Sequence, residues 1–104
     1  MQTLLDKIDT GKLTRAAEML KTVAHPQRMA ILDHLRKGGD LNNTQLQELL
    51  GIDQAILSQH LRLLKDKGIV DVKKEGKFSY YFLQQKDFLT IIDCVERYCK
   101  SLSA

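Results

Sequence analysis

A change of period near residue 68 constrains this chain more than any other feature. From Asn43 to Lys67 the apolar residues recur every three or four positions, as Leu46, Leu49 and Leu50 in one run and Leu57, Leu61 and Leu64 in the next. That spacing puts each set on one face of a helix. Asn43 is placed to cap the first helix, Thr44 to Leu50, and Asp53 to cap the second, Gln54 to Lys67, which stops at Gly68. Between them Gly51-Ile52-Asp53 makes a tight turn, with Gly51 suited to a left-handed helix end. Period two then takes over. Ile69 to Lys74 and Lys77 to Leu83 read as strands joined by a two-residue turn at Glu75-Gly76. In the second strand Phe78, Tyr80 and Phe82 alternate with Ser79 and Tyr81, which places the large rings on one face. Two short helices joined by a glycine turn form a helix-turn-helix, and a hairpin directly after it is a wing.

The flanks read as helices. Leu13, Ala16, Ala17, Leu20 and Val23 recur at helical spacing over 12–23, and Leu4, Leu5 and Ile8 suggest a further turn or two before Gly11. Pro26 suits the first position of a helix that carries Met29, Leu32 and Leu35 and stops at Gly38-Gly39. Lys86 to Leu102 reads as one long helix. The expected fold is therefore mainly α with a small β-hairpin (α+β). It is a single winged helix-turn-helix domain over 1–104, with the helix-turn-helix at 44–67, the wing at 69–83, and helices within 1–23 and 86–102 that dimerise.

With 104 residues the chain has room for one domain, which excludes a large enzyme carrying a separate cofactor domain. No Gly-rich phosphate loop, metal-ligand cluster or nucleophile–base set is visible, so neither enzymatic activity nor a cofactor is expected. The first twenty residues include Asp6, Lys7, Asp9, Lys12, Arg15 and Glu18, which leaves no apolar signal core. No uncharged run reaches the roughly 18 residues that a membrane span needs. A soluble, cytoplasmic protein with no membrane partner is expected, and in that reducing setting its two cysteines are free thiols.

The net charge of +3 is unevenly spread. Residues 1–53 balance seven basic against seven acidic side chains, and 84–104 balance three against three. All of the excess lies in 54–83, where Arg62, Lys65, Lys67, Lys73, Lys74 and Lys77 face Asp66, Asp71 and Glu75. A local basic excess is the footprint of a polyanion-binding surface, although a solvated face has the same composition.

The pattern of the second helix bears on that choice. Leu57, Leu61 and Leu64 mark its buried side; Ala55, Gln59, Arg62 and Asp66 lie opposite, with Ser58 at the border. Gln pairs bidentately with adenine, Ala meets a thymine methyl, and Ser bonds base edges or phosphate. Arg62 suits guanine or phosphate, and Gln54 at the helix start suits a phosphate. Lys65 and Asp66 read as ordinary solvent-facing residues, and His60 as a packed histidine near the buried side. Lys73, Lys74 and Lys77 at the hairpin tip suit the phosphate backbone.

In the last helix Phe88, Ile92, Val95, Cys99 and Leu102 form a four-three-four-three apolar seam, widened by Leu89, Ile91, Cys94 and Tyr98. Such a helix has more to bury than its own domain covers. A symmetric dimer packing it on its mate and on the first helix, through Leu13 and Leu20, is the economical explanation. Dimerisation would also supply two reading helices for half-sites about 34–36 Å apart. Cys94 and Cys99 diverge by about 140° around the helix and cannot readily bond within it. They read as packing residues, with a redox or sensing role across the dimer as the alternative. His25, His34 and His60 lack ligand spacing, so no metal site is expected.

Three segments resemble one family. Leu20 to Leu32 (LKTVAHPQRMAIL), Leu57 to Leu64 (LSQHLRLL) and Gly76 to Tyr81 (GKFSYY) are similar, in order and spacing, to the ArsR/SmtB repressors. The A-x-P-x-R-x-x-I-L and S-x-H-L-x-x-L elements together are specific, and the likeness runs from about Leu13 to the end. The resemblance implies a homodimeric winged-helix repressor of near-palindromic double-stranded DNA operators, released by a signal such as a small inducer. It implies that Gln54, Ala55, Ser58, Gln59 and Arg62 lie along the DNA-reading helix. Relatives often carry Ser and Thr where this chain has Ala55 and Ile56, which bears on the operator sequence. The family's sensing sites do not transfer. Asn42 and Thr44 stand where many relatives carry a Cys-x-Cys pair. Gln85, Asp87, Tyr98 and Ser101 stand near an Asp-His-His-Glu set, and no cysteine precedes Cys94 to make a persulfide pair. The rival reading is a winged-helix protein-interaction module without sequence-specific DNA binding.

Overall fold

The computed structural model describes residues 3 to 102, so positions 1–2 and 103–104 of the expected domain lie outside the described residues. A short helix α1 (Leu4–Lys7) precedes α2 (Thr10–Val23), which begins at Asp9, whose side chain accepts from the Lys12 amide. The helix α3 (Pro26–Gly38) opens with His25 as its cap, the ring accepting from the Gln27 amide, and with proline at the first position. The helix-turn-helix is α4 (Asn43–Leu50) and α5 (Gln54–Asp66). Gly51 between them sits at φ 63°, ψ 36°, a left-handed conformation that glycine adopts without a Cβ penalty.

The wing is β2 (Val70–Glu75) and β3 (Phe78–Leu83). A third strand, β1 (Leu41–Asn42), pairs antiparallel with β3 through Leu41↔Tyr81 and Asn42↔Tyr80, giving the order β1-β3-β2. The expected hairpin is thus part of a three-stranded sheet. Its turn lies at Gly76-Lys77, one residue later than expected, because Glu75 pairs with Phe78 and Gly76 takes the positive φ of 62°. Glycine at the first central position is what a type II′ hairpin turn requires. The helix expected over 86–102 is divided into a single 3-10 turn, Lys86–Phe88, followed by α6 (Leu89–Ser101).

One apolar core joins the elements. Val23 of α2, Ile31, Leu32 and Leu35 of α3, Leu46 of α4, and Leu57, Leu61 and Leu64 of α5 are buried with Ile69, Val70 and Ile92. In β3 it is Tyr81 and Leu83, not the Phe78–Tyr80–Phe82 face, that pack on this core. The cap of α4 is Asn42 rather than Asn43. Its side chain accepts from the Gln45 amide at 2.8 Å while the Gln45 side chain accepts from the Asn42 amide at 2.9 Å, a reciprocal capping box. Asp53 occupies the cap position of α5 but makes no side-chain cap bond.

Candidate nucleic-acid interface

The leucine period rotates α5 so that Leu57, His60, Leu61 and Leu64 face inward, all buried. The opposite side presents Gln54, Ala55, Ser58, Gln59 and Arg62, every one exposed. These five therefore share one solvent face at the start and middle of the second helix. Ile56 stands beside them with 43% of its surface exposed, an apolar group on the first turn where hydrogen-bonding side chains would be unremarkable.

Lys73, Lys74 and Lys77 are all exposed, but their surroundings differ. The Lys73 ammonium lies 2.9 Å from the Asp40 carboxylate and 3.7 Å from that of Glu75. The hydrogen bond to Asp40, with Glu75 adding to it, raises the Lys73 pKa above its ordinary value. Lys74 points to the other face of the strand and has no ion pair among the described residues. Lys77 holds its ammonium 5.5 Å from the centroid of the Phe78 ring, a contact that leaves its charge uncompensated. Among the described residues, therefore, two of the three wing lysines, Lys74 and Lys77, have no ion pair.

His60 does more than fill space. Its Nε2 is 2.7 Å from Oε1 of Gln27 and its Nδ1 is 3.3 Å from a guanidinium nitrogen of Arg28. The Arg28 Nε donates to the Thr22 carbonyl at 2.5 Å, and the His25 ring lies 4.7 Å from that of His60, centroid to centroid. Burial, then the nearby His25 and Arg28, push the His60 pKa down. Sequence reasoning placed His60 near the buried side, but these partners lie more than thirty positions away and left no local signal.

The last helix departs from the expected seam. Ile92 is buried in its own core at 5% exposure, which takes it out of the seam, while Phe88 packs against that core and is half-buried. What α6 leaves open is a neighbouring stripe. Thr90, Ile91, Cys94, Val95 and Tyr98 line an almost wholly apolar groove of about 450 Å³, and Tyr98 and Leu102 are 65% and 56% exposed. Cys94 and Cys99 are free and exposed. On α2, Leu13 is half-buried while Ala16, Ala17 and Leu20 are exposed. On its far side α6 is tied to α3 by Arg36, which bonds Asp33 of its own helix and Asp93 and Glu96 of α6. Among the described residues no three His, Cys, Asp or Glu side chains converge to hold a metal, and no helix is long and apolar enough to cross a membrane.

The bacterial regulatory proteins of the arsR family match residues 25–72, from the cap of α3 into β2. The transcriptional repressor PagR of Bacillus anthracis is 39% identical over 75 residues, which span 72% of this chain and 75% of PagR. The transcriptional activator HlyU of Vibrio cholerae is 32% identical over 84% of this chain and 81% of its own length. The HlyU structure superposes with a TM-score of 0.76 at 30% identity, covering 88% of this chain and 99% of that one. A homodimeric winged helix-turn-helix DNA-binding domain from Mycobacterium bovis, solved by NMR, superposes with a TM-score of 0.75 over 95% of this chain and 88% of its own. At 24% identity it speaks for the fold alone. The chain belongs to the arsR family of bacterial regulatory proteins.

Proposed function

We propose that this protein is a homodimeric, cytoplasmic transcriptional regulator that binds a near-palindromic operator and represses by occupying it, leaving when a signal arrives. The observation that carries the reading is the division of α5. Its inner face is closed by Leu57, His60, Leu61 and Leu64, while Gln54, Ala55, Ser58, Gln59 and Arg62 stand together in solvent on the second helix of a helix-turn-helix. That face is the one a reading helix presents to the major groove. Lys74 and Lys77 supply the sequence-independent phosphate contacts.

The dimer is supported by the open stripes on α2 and α6 and by shape. The radius of gyration is 15.5 Å, whereas a compact domain of about 100 residues has about 13 Å. A chain this extended, with apolar faces uncovered on two helices, fits a protomer whose partner completes the core. Repression follows the likeness to PagR, which is named a transcriptional repressor.

The test is an anisotropy titration of the reduced protein against its own upstream duplex and a scrambled duplex at several salt concentrations. Preference for the upstream duplex with a steep salt slope is expected. Equal, weak, salt-insensitive binding to both would replace this reading with a winged-helix module that meets a protein.

A further inference from the structure

We propose that His60 is a positioning residue, which as a neutral imidazole latches the reading helix to α3 and, through Arg28, to the last turn of α2, and which releases that setting when protonated. The inference rests on α5 being the DNA-reading helix.

Partner chemistry fixes the tautomer. A guanidinium only donates, so the His60 nitrogen facing Arg28, Nδ1, must accept. The proton is then on Nε2, which donates to the Gln27 side-chain oxygen at 2.7 Å. The Arg28 Nε is spent on the Thr22 carbonyl, so one guanidinium joins the end of α2 to the middle of α5. Gln27 and Arg28 come from one of the segments that carry the family resemblance and His60 from another. The two segments meet at this cluster.

Apart from this cluster, α5 and α3 share the apolar core, to which α5 gives Leu57, Leu61 and Leu64 and α3 gives Ile31, Leu32 and Leu35. Such packing is strong but non-directional, and it tolerates small rotations of a helix about its axis. A hydrogen-bonded polar group in an apolar interface supplies the direction that the leucines lack. His60 directly follows Gln59 and lies two positions from Ser58 and Arg62, so a rotation at His60 is carried to the reading face. Half-sites read by two protomers need that rotation held on both sides.

Protonation undoes the arrangement in a definite way. A second proton must go on Nδ1, which then confronts Arg28 with donor against donor. The charged groups acting on the ring, His25 and Arg28, both stand on the α3 side and both oppose it. Burial opposes it as well, and the site is occupied by a proton only below the ordinary histidine value of 6.5.

The tests use the full chain. In long-range proton–nitrogen spectra, His60 should show the Nε2–H tautomer and titrate below 6.5; the Nδ1–H tautomer, or titration at or above that value, would overturn the latch. Operator and scrambled duplexes are then compared at about pH 7.5 and about pH 5.5. Unaltered protein should lose about tenfold in operator affinity at the lower pH with scrambled-duplex affinity nearly constant, and His25→Asn, which keeps a capping side chain on α3 and removes one group that opposes protonation, should lose at least as much. Loss of the pH response in His25→Asn would shift the role to His25 and overturn the assignment. Gln27→Ala removes the latch partner from a half-buried position without opening the core, so it should fold and dimerise normally yet bind the operator about tenfold more weakly at the higher pH. Wild-type operator binding by Gln27→Ala would make His60 merely structural. Absence of any sequence preference in the unaltered protein would instead overturn the reading of α5, and the positioning role with it.

Discussion

The ion pair between Lys73 and Asp40 separates three wing lysines that look equivalent in sequence. Each phosphate neutralised by a cation contributes about 0.9 to the slope of log affinity against log salt. Lys74 has no ion pair among the described residues, and a homodimer presents it twice, so Lys74→Ala should flatten the slope by about 1.8. Over a rise from about 50 to about 200 mM salt, a slope of about 1.8 corresponds to about a 12-fold change in affinity. Lys73 is already balanced by Asp40 at 2.9 Å and Glu75 at 3.7 Å, and to meet a phosphate it must leave both. Lys73→Ala should therefore change the slope by less than about 0.5. Asp40→Asn removes the nearer of the two carboxylates and leaves Glu75 at 3.7 Å, so it should steepen the slope, by less than the about 1.8 of two unpaired lysines, with a gain in affinity at low salt. Anisotropy titrations on operator and scrambled duplexes measure all three slopes. Equal flattening by Lys73→Ala and Lys74→Ala, or an unchanged slope in Asp40→Asn, would refute the reasoning.

Three further outcomes follow from the same geometry. Gln59→Ala should lose about 1–3 kcal/mol of discrimination at one base position while keeping scrambled-duplex affinity, measured by single-base operator scanning. Asn42→Ala deletes the acceptor for the Gln45 amide at the start of α4 and should cost about 1 kcal/mol, a fall of about 4–8 °C in melting temperature, with no change in denaturant m-value. Leu64→Ala opens a cavity at a fully buried site and should cost about 2–5 kcal/mol by urea titration, a large share of a stability of about 5–15 kcal/mol.

Local signals made the helix-turn-helix legible, and distant partners hid the rest. The leucine spacing of α5 and the glycine at position 51 are local, and the leucine spacing sorted the exposed face of α5 correctly from its buried face. The choice between Asn42 and Asn43 as cap was also open to local reasoning, since only Asn42 has Gln three residues on to complete a capping box. The turn shifted by one residue because Gly76 alone among its neighbours takes a positive φ, and the pairing of Glu75 with Phe78 follows from placing it first. No local pattern announces β1: two residues have no period, and Leu41 and Asn42 become a strand only because Tyr81 and Tyr80 lie beside them. Lys73 and His60 escaped full description for the same reason. Asp40, Gln27 and Arg28 are brought to them by the tertiary fold, and nothing in the spacing of either segment specifies those pairs.

The last helix shows how two overlapping apolar stripes are told apart only by what each one meets. By spacing, Phe88, Ile92, Val95, Cys99 and Leu102 form the better seam, yet Ile92 is 5% exposed and belongs to the protomer's own core. The stripe left uncovered runs through Ile91, Cys94, Val95 and Tyr98. One pair of substitutions distinguishes the two descriptions. Ile92→Asp places a charge among core residues without a counter-ion and should cost several kcal/mol, enough to unfold the domain. Tyr98→Asp alters a side chain that is 65% exposed, so the isolated protomer should lose no more than about 0.5 kcal/mol. It places that charge in the groove a second copy would cover, so sedimentation should report a folded monomer. Losing the dimer separates the two reading helices, and operator affinity should fall towards that for scrambled DNA while circular dichroism stays native. A Tyr98→Asp protein that remains dimeric, or an Ile92→Asp protein that is folded and monomeric, would return the interface to the seam that sequence spacing favours.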